Sequence, residues 1–146
     1  MVTEQIIIDN IPRGLAFEVL RVIGIDGTFT EPVKIELNIE SESLGRKDKI
    51  TIHSPLDDRF FARLSLIAST ITIEEIDEVG NSRKQDSIDL PDRIIRMICC
   101  DNKQCITNKM PVTPKFSVEK EGLVPRLRCE YCETIIEQLI FEETED

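Results

Sequence analysis

Apolar and polar positions change period several times along the chain, and each change marks an element. Ile6-Ile7-Ile8, closed by Asp9-Asn10-Ile11-Pro12, is a β-branched run bounded by turn formers and predicts a buried strand over 5–11. From Arg13 to Ile23 the apolar positions Ala16, Val19, Leu20 and Ile23 fall three and four apart, a helical stripe that Gly24 and Gly27 end. Val33, Ile35, Leu37 and Ile39 alternate with Lys34, Glu36, Asn38 and Glu40, predicting a strand with one buried face. After a turn containing Gly45, Ile50 and Ile52 continue the alternation. Ser54 and Pro55 are good first residues for a second helix, with Phe60, Leu64, Ile67 and Ala68 as its stripe. Ile71 and Ile73 alternate with Thr70, Thr72 and Glu74 in a fourth strand.

The order β-α-β-β-α-β is the ferredoxin-like arrangement, so the N-terminal part is α+β with two helices for one sheet face. The other face is left for solvent or for a second copy. Residues 81–89 are polar and aperiodic and read as linker. Ile94, Ile95 and Ile98 suit a short connecting helix or strand, 134–141 reads as a last strand, and the acidic 142–146 as a solvated end.

All five cysteines fall after residue 98, in the pairs Cys100-x₄-Cys105 and Cys129-x₂-Cys132, with Cys99 beside the first. Two tight turns carrying four thiolates can converge on one tetrahedral ion, so one structural Zn²⁺ per chain is expected. Cys99 ends an apparent strand and is read as a packing residue. A rubredoxin-like iron site, unrelated buried thiols or disulfides are the alternatives. A segment this small needs a staple, which the metal supplies. The expected organisation is a domain over 1–84, a linker over 85–95 and a small all-β zinc-ribbon-like domain over 96–146.

The net charge of −10 argues against nucleic acid. From Met97 to Asp146 there are six Lys/Arg against ten Asp/Glu, with Tyr131 the aromatic ring between the second pair. No apolar run approaches the roughly 20 residues of a membrane span, and the N-terminus lacks the basic start of a signal peptide. A reducing cytoplasm is the expected setting. His53, the single histidine, has no nucleophile or acid partner in a motif, and no phosphate-binding or nucleophile-elbow motif occurs. Four cysteines also leave a metal no open position, so no catalytic residue is expected.

Ile8-Asp9-Asn10-Ile11-Pro12, Gly45-Arg46-Lys47-Asp48, Val79-Gly80-Asn81-Ser82-Arg83, Leu90-Pro91-Asp92-Arg93-Ile94 and the cysteine spacing together resemble the regulatory chain of aspartate carbamoyltransferase. The likeness covers nearly the whole chain. It implies a non-catalytic subunit whose N-terminal domain pairs with a second copy and binds nucleotide effectors. Its zinc domain docks on the catalytic chain, with contacts that carry over to Asn102, Gln104 and Glu133, the glutamine standing where the family has asparagine. For the effector site the family pattern gives an acidic residue, matched by Asp9, and two lysines, at whose positions this sequence has Thr51 and Asn81. The first strand also starts near Gln5, leaving little of the family's N-terminal arm. Lys47 and Lys49 remain for phosphate contacts, so nucleotide binding is expected to be weak or absent. The other reading is a free-standing zinc-ribbon interaction adaptor, possible in transcription.

Overall fold

A computed structural model describes residues 3–55, 58–85, 90–120 and 122–141. The chain divides into two compact units, Met1–Asp89 and Leu90–Asp146.

In the first unit, β1 (Thr3–Pro12) is the central strand. It pairs antiparallel with β3 (Gly45–Ile52) on one side and β4 (Thr72–Asp77) on the other. β2 (Val33–Ser41) and β5 (Ser82–Gln85) form the edges, giving the order β2-β3-β1-β4-β5. Helices α1 (Ala16–Ile23) and α2 (Asp58–Ser65) complete the expected βαββαβ order. Ile6, Ile8, Ile50 and Ile52 share one sheet face by register and are fully buried, together with Ala16 and Val19 of α1 and Leu64 of α2. Gly24 ends α1 in the left-handed region at φ 80°, and the Ile25 N–H reaches back to the Leu20 carbonyl.

Asp48 ties this unit together. Its side chain is almost wholly buried, and Oδ2 accepts the N–H groups of Gly14 and Ala16 at 3.0 and 3.2 Å. These amides open α1, whose N-cap residue, Leu15, makes no side-chain capping bond. A carboxylate from β3 therefore does the capping and also meets the positive end of the helix. Oδ1 accepts the N–H of Asn38 at 2.9 Å. Asn38 has φ 58° and lies in a register shift of β2 between Glu36 and Ile39.

That shift corrects the expected alternation. Val33 and Ile35 pair with Ile52 and Ile50 on the helix-covered face, whereas Ile39 pairs with Lys47 on the other. Ile35 and Leu37 remain 39% and 48% exposed along the edge strand. Part of the expected linker is also structured. Residues 82–85 are β5, paired with β4, and a buried Glu75 makes an ion pair with Arg83 across the two strands. The first turn of the second helix lies partly outside the described residues; the Ser54 hydroxyl bonds the Pro55 carbonyl at 3.3 Å.

Among its described residues the second unit is all-β apart from one short 3-10 turn at Ile106–Asn108. β6 (Arg93–Ile95), β8 (Lys115–Glu119) and β9 (Arg126–Cys129) form one sheet in the order β6-β8-β9. The expected linker thus ends earlier than residue 95, since 93–95 pair with β8. β7 (Ile98–Cys99) pairs with β10 (Ile140–Phe141). Ile94, Ile98, Phe116 and Leu127 make the core. The last strand, expected over 134–141, shortens to β10 with one isolated bridge from Ile135 to Arg128. Its middle bends instead toward Asp101, whose carboxylate accepts the N–H groups of Glu137 and Gln138 at 2.8 and 3.3 Å. The acidic end, 142–146, lies outside the described residues. No helix among the described residues is long and apolar enough to cross a membrane.

Asp48→Ala takes the acceptor from three amides, of which that of Ala16 is buried. It should lower the stability of the N-terminal unit by about 3 kcal/mol, and Asp48→Asn, which keeps one acceptor oxygen, by less. Urea unfolding of the full chain followed by hydrogen exchange of α1 amides measures both, and an unchanged midpoint for Asp48→Ala contradicts the assignment.

Candidate metal centre

Cys100 leaves β7, Cys105 closes the turn that follows, Cys129 ends β9, and Cys132 lies three residues beyond. Their four sulfurs all lie within 4.8 Å of one another. A tetrahedral zinc with bonds of about 2.3 Å requires sulfur–sulfur edges of about 3.8 Å. The Cys100–Cys132 and Cys105–Cys129 separations are 3.6 and 3.7 Å. The donors therefore fit one structural zinc ion, and four sulfurs leave it no position for water or substrate. Cys99 pairs with Ile140 in the β7–β10 ribbon and is not in the cluster.

Hydrogen bonds build the knuckles. The Cys105 N–H bonds the Asn102 carbonyl at 3.0 Å, and the Glu133 N–H bonds the Cys129 carbonyl at 2.9 Å. Glu133 takes φ 63° to close the second turn. Asn108 donates its amide to the carbonyls of both Cys100 and Asn102, at 2.9 and 2.8 Å. The Thr107 hydroxyl lies 3.1 Å from the Cys105 sulfur and the Thr134 hydroxyl 3.3 Å from that of Cys132. Such groups orient the ligands and stabilise their negative charge. Burial raises the thiol pKa of Cys100 and Cys129. Burial opposes ionisation of Cys132 as well, but bonds from Thr134, Asn102 and Cys100 outweigh it and bring that thiol down to about 6.

The proposed docking residues lie on these turns. Gln104 is exposed, and its side-chain oxygen accepts from Lys109 at 2.9 Å. Glu133 is exposed, and its carboxylate has no partner among the described residues. Asn102 is half-buried and occupied within the knuckle: its oxygen accepts the Gln104 N–H at 3.0 Å and its amide donates to Thr134 at 3.4 Å. Thr107, Asn108, Asp101 and Thr134 carry no ligand-type signature, and their service to the knuckles was not apparent from sequence. Their nearness to the cysteine pairs is the one signal that points to them.

In the first unit, Asp9 and Lys47 come together in an ion pair of 3.0 Å. The same ammonium approaches the Asn10 side-chain oxygen at 3.4 Å. Lys47, Lys49 and Thr51 alternate along β3 and so share the sheet face opposite the helices. Thr51 is buried there, opposite Ile7. Asn81 lies apart from Asp9. It sits in the β4–β5 turn, where its N–H bonds the Asp77 carboxylate at 2.9 Å, and Asp9 pairs with Thr72 at the other end of β4. Five strand steps separate the two ends, about 17 Å.

Residues 1–87 match the family described as aspartate carbamoyltransferase regulatory chain, allosteric domain, and residues 92–142 match its metal binding domain. The aspartate carbamoyltransferase regulatory chain of Thermococcus sibiricus is 36% identical over 90% of this chain and 86% of its own length. That of Klebsiella pneumoniae is 37% identical over 87% and 82%. That of Korarchaeum cryptofilum is 36% identical over 94% and 92%. The chain belongs to the aspartate carbamoyltransferase regulatory-chain family. It is a regulatory, non-catalytic chain with an allosteric and a metal-binding domain.

The metal assignment has a direct test. Protein purified without chelator should hold about one zinc per chain, and serine at Cys100, Cys105, Cys129 or Cys132 should remove it and unfold the second unit, since structural zinc supplies roughly 10 kcal/mol in small modules. Cys99→Ser should keep full occupancy. Elemental analysis with circular dichroism reads both, and full zinc in Cys100→Ser alongside none in Cys99→Ser would reverse the assignment.

Proposed function

We propose that this chain docks through its metal-bearing unit on the catalytic chain of aspartate carbamoyltransferase in pyrimidine biosynthesis, in a reducing cytoplasm. The observation that carries the reading is the four-sulfur cluster whose two turns hold Gln104 and Glu133 exposed at its surface. Asn102 contributes through the knuckle it braces. The turns carry the four ligands themselves, so the metal sets their shape. Stripping it should abolish the complex. Native mass spectrometry of the two chains mixed, with and without chelator, reads this, and a complex that survives complete zinc removal contradicts it.

The first unit we read as the dimerisation domain, pairing through edge strand β2. Ile35 and Leu37 are exposed along that edge, where unpaired strand groups invite another strand.

Nucleotide binding at the face carrying Asp9, Lys49 and Thr51 should be weak. Lys47 is already neutralised by Asp9. Thr51 and Asn81 bring no charge where a phosphate rewards one. Two missing charge-assisted bonds cost roughly 3 kcal/mol, more than a hundredfold in affinity. Calorimetry should give a millimolar dissociation constant for ATP and CTP, and the double variant Thr51→Lys/Asn81→Lys should bind more tightly. Micromolar binding to the unaltered chain would sink this claim and leave the docking role standing.

A further inference from the structure

The second unit contains a cleft of about 340 Å³ between the start of β7 and the segment after Cys105. Its walls include Met110, Pro111 and Val112 on the apolar side and Thr107 and Asn108 on the polar side, with Arg96 as its charged residue. None of the lining residues is acidic.

Arg96 combines two features in one cleft. Its side chain is exposed and, among the described residues, makes no ion pair or hydrogen bond. By contrast, Arg93 makes a two-point bond to Glu130, and Lys109 bonds Gln104. Its backbone has φ 67°, a region that glycine or asparagine adopts more readily than arginine. The Arg96 N–H holds this shape by bonding the Pro114 carbonyl at 3.1 Å, across the cleft's own wall. Strain retained at an unpaired charge in a cavity is the pattern of a binding position.

We propose that this cleft is a carboxylate socket, taking an aspartate or glutamate side chain of the catalytic chain. The inference rests on the docking role above and names one of its contacts. A guanidinium offers paired donors that match a carboxylate, and the Thr113 hydroxyl lines the same cleft. Met110, 57% exposed, and its apolar neighbours fit the methylene stem of the incoming residue. One cation suits a single negative charge; a nucleotide or nucleic acid carries several, which this chain of net charge −10 repels. The socket is tied to the metal on both sides. Asn108 reaches the first knuckle, and the Tyr131 hydroxyl of the second donates to the Thr113 carbonyl at 3.0 Å.

Calorimetry of zinc-loaded full chain against the catalytic chain tests this with Arg96→Ala, Arg96→Lys and Arg96→Glu. Arg96→Ala should weaken binding about ten- to a hundredfold, and Arg96→Glu more. Arg96→Lys should recover part of the loss, and the difference from wild type should shrink in high salt. Zinc content and melting temperature should stay unchanged, which separates a lost contact from a lost fold. Unaltered affinity in Arg96→Ala and Arg96→Glu overturns the socket while wild-type binding upholds the docking role. Failure of the wild type to bind the catalytic chain removes the docking role and the socket with it. Saturable perturbation of the Arg96 guanidinium resonance by low-millimolar free glutamate would make the occupant a small carboxylate instead.

Discussion

Four sulfur atoms brought within 4.8 Å of one another are the constraint on which the second unit depends. Left as thiols, Cys100 and Cys129 are pushed toward the protonated form by burial, and left as thiolates four such groups repel. A divalent cation resolves both difficulties at once, because each ligand loses its proton and gains an opposite charge. Much else in the unit is fastened to these ligands. Asn108 holds the first turn, Thr134 serves the second, and Asp101 pulls residues 137 and 138 against the knuckle. The apolar core of Ile94, Ile98, Phe116 and Leu127 is too small to impose those positions alone.

The first unit solves a similar problem without a metal. There one buried carboxylate, Asp48, gathers backbone donors from α1 and from the irregular stretch of β2. Both arrangements place an acceptor where the chain would otherwise leave polar groups unpaired. Neither depends on long-range charge, which suits a protein of net charge −10.

What the sequence disclosed follows from which signals are periodic. The buried strands and both helices announce themselves because their apolar residues repeat at the spacing of the element, and the cysteine pairs because thiolate spacing has few other uses. β5 was hidden since Ser82-Arg83-Lys84-Gln85 is an edge strand held by backbone pairing and by charges facing Glu75 and Glu74, with no apolar residue to mark it. Ile39 looked like a partner of Ile35 because a bulge leaves no trace in a binary pattern; Asn38, a residue tolerant of positive φ, was the one hint. The last strand was overread for the opposite reason. Its apolar residues are real, but Asp101 claims the backbone donors a strand would need.

The two units also differ in how far this chain keeps the chemistry of its family. The metal site is complete, with all four ligands converged and braced. On the sheet face, Asp9 already satisfies Lys47 and a neutral side chain stands at position 51, while the β4–β5 turn carries a neutral one at position 81. An ion pair that closes on itself within the chain has little attraction left for a phosphate, because a ligand must first compete with a carboxylate held 3.0 Å away. Losing charge there costs the fold nothing: Thr51 packs opposite Ile7, and the Asn81 turn is held by backbone bonds to Asp77. Loss of a thiolate from the cluster would cost the whole second unit. Physical necessity therefore ties the fold of the second unit to its metal site, whereas the sheet face of the first carries no such obligation.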